Sequence, residues 1–171
     1  KYNQERVDLV DINRMRHEKQ PLRFVKMRGS GNDYIYFDCF DQTIECPSSL
    51  SIQVSSRRWS IGGDGIVLIE PCEEADARMR LFNADGSEAE LAGNAIRCVG
   101  KYLYDSGRVP KDSMRVRTGN GIKQVTLHVR DGQVESACAA MGTVSFERAD
   151  VPVRAEGPVL DREMVVGGQK A

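Results

Sequence analysis

One stretch, Met79 to Gly107, limits what this chain can fold into more than any other. Arg78 to Phe82 alternates polar and apolar residues, the period of a half-buried strand. Ala84-Asp85-Gly86-Ser87 follows with turn chemistry, and Ala92-Gly93-Asn94 supplies a second turn of small residues. From there Ala92, Ala95, Ile96, Val99 and Leu103 recur at helical spacing until Gly107 stops the pattern. The order is strand, polar turn, glycine turn, helix.

That order has a chemical meaning. The first turn of a helix presents unpaired backbone N–H groups and the positive end of its dipole, so Gly93 and Asn94 make a seat for a carboxylate. Asn83 and Asn94, one at each turn, carry a donor and an acceptor apiece, which suits a zwitterion with ammonium and carboxylate on one carbon. By residue type alone, both turns stay open to being turns and nothing else.

The rest of the chain supplies strands. Leu22 to Met27 alternates as a first strand, residues 28–33 form a loop, and Tyr34 to Cys39 returns. By residue type alone Asn32, beside two glycines, stays open to being just a turn residue in a left-handed conformation. Pro47 and Ser48 begin a helix with Ser48 or Ser49 as N-cap and Leu50, Val54 and Trp59 toward the core. Arg57-Arg58 reads as a solvated or dipole-complementing end of that helix in preference to an anion site. Ile61 to Gly65 is a glycine turn, Ile66 to Ile69 a buried strand and Pro71 to Ala77 an acidic surface turn. Beyond the central helix, Met114–Thr118, Ile122–Arg130 and Gln133–Ala140, separated by Gly119-Asn120-Gly121 and Asp131-Gly132, predict a meander. Thr118-Gly119-Asn120-Gly121 lacks the lysine and following helix that a phosphate loop requires.

Composition narrows the function classes. A chain of 171 residues with 40% hydrophobic content is sufficient for one domain with a real core. A net charge of -1 implies no basic face, so nucleic acid is not an expected partner. No apolar run reaches the roughly 20 residues needed to span a bilayer, and the charged first residues do not read as a signal peptide, so a cytoplasmic protein without membrane contact is expected. Cys39, Cys46, Cys72, Cys98 and Cys138 are odd in number and widely spaced, which argues against a disulfide framework and a zinc site. His128 sits in an alternating run as a surface or cross-strand residue, and no metal is expected.

Three motifs in order resemble those of diaminopimelate epimerases. Lys26-Met27-Arg28-Gly29-Ser30-Gly31-Asn32-Asp33-Tyr34 resembles the opening motif of that family. Ile61-Gly62-Gly63-Asp64-Gly65 resembles a further one. Asn83-Ala84-Asp85-Gly86-Ser87-Glu88, then residues 93–98 and 101–105, resemble its signature. The resemblance runs from about Leu22 onward. It implies an α+β fold of mostly antiparallel strands wrapped around a central helix, one half of a two-domain pseudosymmetric protein. Residues 22–157 would form the N-terminal epimerase-like domain, 158–171 would start the strand leading to an absent second domain, with Arg162 to Gly168 as that strand, and 1–21 would be an extension of unassigned role. That extension is polar, with an apolar patch at Val7, Leu9, Val10 and Ile12.

The resemblance also implies a chemistry. Inverting an α-carbon without a cofactor needs one group to remove a proton and another to return it from the opposite face. In the family these are two cysteines, one from each domain. Asn32, Asn83, Gly93 and Asn94 would hold the amino-acid substrate, and no cofactor or metal is implied. The second domain would be the chain's principal partner, with a homodimer one assembly open to it.

One position departs from the family. Its catalytic cysteine immediately precedes the Gly93-Asn94 pair, where this sequence has Ala92. Cys98 is no replacement, since the family carries a cysteine there too, without a catalytic role. Three explanations stay open: a substituted variant, a relative with altered chemistry, and a protein that binds without turnover. For a different base, Glu88 and Glu90 are the nearest acids in sequence, although glutamates just before a helix commonly complement its dipole.

Overall fold

A computed structural model describes residues 21–147, 150, 163 and 165–170. The expectations for 1–20, and for most of 148–162, lie outside the described residues. The chain divides into two units between Ala139 and Ala140. In the first, strands β1 (Val25–Gly29), β2 (Asn32–Asp38), β3 (Gly65–Glu70), β4 (Ala77–Asn83), β5 (Glu88–Ala89), β6 (Ser113–Thr118), β7 (Gly121–Arg130) and β8 (Gln133–Ala139) accompany helices α1 (Pro47–Val54) and α2 (Gly93–Asp105). In the second, β9 (Val165–Val166) turns through Gly167 and Gly168 to pair with β10 (Gln169–Lys170). Of the strand expected over 162–168, residues 165 and 166 are extended and residues 167 and 168 form a turn instead, because paired glycines at positive φ, 60° and 83°, reverse the chain.

The strands of the first unit form one sheet of eight, in the order β1-β2-β3-β4-β6-β7-β8 with β5 added to β4. Every pairing is antiparallel except β2 with β3 and β4 with β6. Seven strands at roughly 4.8 Å spacing span about 29 Å, more than twice the diameter of a helix. Helix α2 nevertheless contacts both edge strands, β1 and β8. The sheet must therefore curl around it, which is the expected wrapped arrangement.

The apolar stripe read from the sequence is the reason α2 sits there. Ala95, Ile96, Val99 and Leu103 are all buried and pack with Tyr34, Tyr36, Val67, Ile69, Met79 and Leu81 from the inner sheet face. Each large side chain so buried stabilises the fold by about 1.5–3 kcal/mol. The outer face of β2, β3 and β4 carries a second cluster, Ile35, Phe37, Ile66, Leu68 and Phe82, covered by Leu50 and Val54 of α1. Two covered faces explain why Tyr34 to Phe37 and Ile66 to Ile69 run apolar without alternation. Among the described residues, no helix is long and apolar enough to cross a membrane.

Several local expectations need correction. The first strand begins at Val25, and Leu22 and Phe24 are exposed. Helix α1 takes Cys46 as its N-cap without a side-chain bond, because Pro47 occupies the first turn, where its missing N–H is harmless. Trp59 is 85% exposed instead of buried. The helix stops at Val54, and the Gly62 and Gly63 N–H groups donate back to the Val54 and Ser55 carbonyls at 2.8 and 3.1 Å, so Trp59 lies on a looped-out turn. The acidic turn ends one residue early: Ala77 is fully buried at the start of β4. The meander forms as expected, and His128 is exposed on β7.

The join between β3 and β4 leaves no room for a side chain at Gly65. A Cβ there would lie 2.1 Å from the Phe82 carbonyl oxygen, at a φ of 153°. Gly65→Ala is expected to destabilise the fold by about 3 kcal/mol, read as a lowered urea midpoint at unchanged slope.

Candidate functional site

The topology gathers the sequence motifs at one end of the sheet. Because β1 is antiparallel to β2, β2 parallel to β3 and β3 antiparallel to β4, Gly29, Asn32, Gly65 and Asn83 all lie at the same end. The β1–β2 turn is a two-residue hairpin with positive φ at Ser30 (49°) and Gly31 (94°), as the right-handed strand twist favours. Gly29 brings that turn against α2: a Cβ there would lie 3.0 Å from the Asn94 carbonyl oxygen and 3.1 Å from Cys98 Sγ.

Hydrogen bonds tie these loops together. Asn94 Nδ2 donates to Asn32 Oδ1 at 2.8 Å, and Asn32 Nδ2 donates to Asp64 Oδ2 at 3.0 Å. The Asp64 N–H donates to the Asp33 carbonyl at 2.7 Å, and the Ala84 N–H to the Asp64 carbonyl at 3.1 Å. Asn32, Gly93 and Asn94 are thus brought together directly. Asn83 joins through backbone, as the ladder partner of Gly65 and through its neighbour Ala84, while its own carboxamide donates to Ser87 Oγ at 3.0 Å within the turn.

Ala92 is the N-cap of α2, with extended φ of -134° and ψ of 113°, and its carbonyl accepts from the Ile96 N–H at 3.0 Å. No side chain caps this end and no acid stands in its first turn. The first N–H groups of α2 are therefore left for another acceptor, at a half-buried position beside the exposed Asn32. The methyl of Ala92 can take part in packing but cannot carry a proton. Cys98 lies one turn deeper, half-buried against the core.

A charged cluster braces the site. Arg57 grips the Asp33 carboxylate through both terminal nitrogens, at 2.9 and 2.5 Å, and reaches Asp64 Oδ1 at 2.9 Å, while Lys26 stands 3.0 Å from Asp33. The Arg57 hydrogen bonds hold the Asp33 carboxyl well below the usual carboxylate range. The Asn32 carboxamide, with the Asp33 N–H and Arg57, likewise lowers Asp64. Arg57 is therefore no dipole-complementing helix end; α1 finishes at Val54, and the arginine is drawn to the two acids. Glu88 does not complement the α2 dipole either. It lies on β5, where Arg80 holds it bidentately at 2.7 and 3.0 Å. Arg97, not singled out in the sequence, bonds Asn94 Oδ1 at 2.5 Å and Ser30 Oγ at 2.8 Å. Its spacing of three from Asn94 on one helix was the available signal. Arg57 left no such signal, because its partners are 24 and 7 residues away.

The fold is shared with solved structures of low sequence identity. The crystal structure of a hydroxyproline epimerase from Agrobacterium vitis with bound trans-4-hydroxy-L-proline is similar over 70% of this chain and 41% of its own, with a TM-score of 0.58 at 17% identity. Residues 24–147 match the diaminopimelate epimerase family, and the chain belongs to it. It is 49% identical over 144 residues to a diaminopimelate epimerase of Acetivibrio thermocellus, covering 84% of this chain and 51% of that relative. It is 50% identical over 135 residues to one of Desulfovibrio desulfuricans, covering 79% and 47%. The chain thus spans about half the length of the curated relatives it matches.

The charged cluster predicts an acid limb. A carboxylate whose pKa is depressed in the fold adds stability that is present above its unfolded value, about 3.9, and lost as pH falls through the folded value. Stability should therefore decline below about pH 4. Asp33→Asn should flatten that decline and cost about 1–2 kcal/mol at pH 7, measured by urea denaturation across pH.

Proposed function

We propose that the complete protein is a cofactor-independent diaminopimelate epimerase, interconverting the LL and meso forms of the amino acid that supplies lysine and cell-wall precursors. In this reading residues 22–157 are its N-terminal domain, residues 158–171 lead toward a second similar domain, and the work is done in the cytoplasm. The observation that carries it is the hydrogen bond between Asn32 and Asn94, which joins the first and last family motifs beside an uncapped helix N-terminus. The amino-acid carboxylate lies against the Gly93 and Asn94 N–H groups, where the helix dipole also stabilises the charge that develops as the α-proton leaves. Asn32 and Asn83 offer the remaining polar contacts. Their carboxamides can meet both ends of a zwitterion.

Two groups must flank the α-carbon for inversion. A thiol at position 92 would sit at a helix N-terminus, which favours the thiolate and so makes a practical base. With alanine there, this half binds and orients while one proton-transfer group is missing. Ala92 favours a second reading, a relative that binds an amino acid without turnover. Glu88 is a weak substitute base, since its bidentate pair with Arg80 lowers its pKa.

Proton exchange separates the readings. The complete protein is incubated with diaminopimelate in heavy water and deuterium is followed at the α-carbon, with Ala92 as given and as Ala92→Cys. The cysteine form should exchange at least about a hundredfold faster. Silence from both, with heat of binding in calorimetry, supports the binding-only reading. Silence without binding overturns both.

A further inference from the structure

Asn32 and Asn94 stand in a line of hydrogen bonds that begins on a carboxylate and ends on a guanidinium. Asp64 Oδ2 accepts from Asn32 Nδ2 at 3.0 Å, Asn32 Oδ1 from Asn94 Nδ2 at 2.8 Å, and Asn94 Oδ1 from Arg97 Nη2 at 2.5 Å. The chemistry of the two ends dictates the direction of the line. An ionised carboxylate only accepts and a guanidinium only donates. The carboxamide beside Asp64 must therefore turn its nitrogen toward that acid and its oxygen toward Asn94. Asn94 must answer with nitrogen and leave its own oxygen for Arg97. Reversing either amide sets oxygen against oxygen or nitrogen against nitrogen.

Both ends are themselves anchored. The Asp64 carboxylate also accepts from the Asp33 N–H at 3.1 Å and from Arg57 at 2.9 Å. Arg97 also bonds Ser30 Oγ at 2.8 Å and the Gly93 carbonyl at 3.2 Å. Ser30 is held at a φ of 49°, a conformation that a serine rarely adopts, and Arg97 reaches it across 67 residues of sequence.

We propose that Asp64 and Arg97 are positioning residues of the amino-acid seat: acting from the two ends of this line, they hold the Asn32 and Asn94 carboxamides in a single orientation. The second N–H of each amide and the free lone pair of Asn32 Oδ1 are then presented to the ligand in a known arrangement. A preorganised seat loses no affinity to amides that would otherwise sample the wrong orientation. Only the identity of the ligand rests on the functional reading above.

The test joins a spectroscopic readout to a binding one. In the isotope-labelled complete protein, nuclear magnetic resonance should give Asn32 and Asn94 one sharp pair of Nδ2 proton signals each. Asp64→Asn keeps the shape of the acid but can donate as well as accept. It should double or broaden both pairs while the backbone amides of β6, β7 and β8 stay in place. Arg97→Met should do the same, and Arg97→Lys, which still donates, should restore the single pairs. In the complete protein, calorimetry with diaminopimelate should find affinity lowered about tenfold by Asp64→Asn and Arg97→Met, with Arg97→Lys close to the parent. Sharp, unshifted carboxamide signals in both disruptive variants overturn the proposal, as does unchanged affinity. Should Asp64→Asn fail to fold, the comparison of Met with Lys at position 97 decides alone. Should the parent protein take up no diaminopimelate, the functional reading fails, and the carboxamide signals still decide whether the line is directed as argued.

Discussion

Everything in this unit depends on enclosing one amphipathic helix that is too apolar on one side to face water. Ala95, Ile96, Val99 and Leu103 need cover that no single pair of strands provides, and the sheet supplies it by reaching α2 from both of its edges. Glycines allow the close approach: Gly29 on β1 lies against Asn94 and Cys98 of α2, and Gly100 of α2 faces β7, where a side-chain carbon would lie 2.7 Å from Val125 Cγ1. The same enclosure leaves the first turn of α2 uncovered at one end. A helix buried along its length and open at its N-terminus is a donor surface mounted on a rigid support.

The parallel join between β2 and β3 decides what surrounds that donor surface. An all-antiparallel order would send successive turns to opposite ends of the sheet. The crossover through α1 instead returns the chain to the end it left, so that the segment carrying Asp64 lies beside the turn carrying Asn32. Charge then fixes the loops where backbone pairing has ended. Arg57 and Lys26 neutralise Asp33 and Asp64, which allows two carboxylates to stand close to a seat read as accepting a third.

Much of this was legible in the sequence because local chemistry sets it. The alternation of Arg78 to Phe82, the stripe on α2 and the Asp131-Gly132 hairpin each contain their own instruction, and each forms as read. What failed depended on partners far along the chain. Trp59 is apolar and so reads as core, yet the back-donation of Gly62 and Gly63 loops it outward. Arg57 and Glu88 sit next to helix ends in sequence, where the dipole is the obvious partner; in the fold, Asp33, Asp64 and Arg80 compete for them and win at hydrogen-bond distance. The seat itself was half legible. Asn32 and Asn94 stood out as motif residues, but nothing in the order of residues announced that they bond each other, or that Asp64 and Arg97 direct them.

The bond between Asn32 and Asn94 spans 62 residues of chain. Closing so long a loop has an entropic penalty that a single exposed amide contact cannot offset, so the contact follows, and never leads, the collapse of the sheet onto α2. The hairpins of the meander, by contrast, close over a few residues and can form early. The functional end of the molecule is thus a late product of folding: a chain trapped with its helix and meander in place but its first hairpin undocked would look largely native in secondary structure and yet present no seat at all.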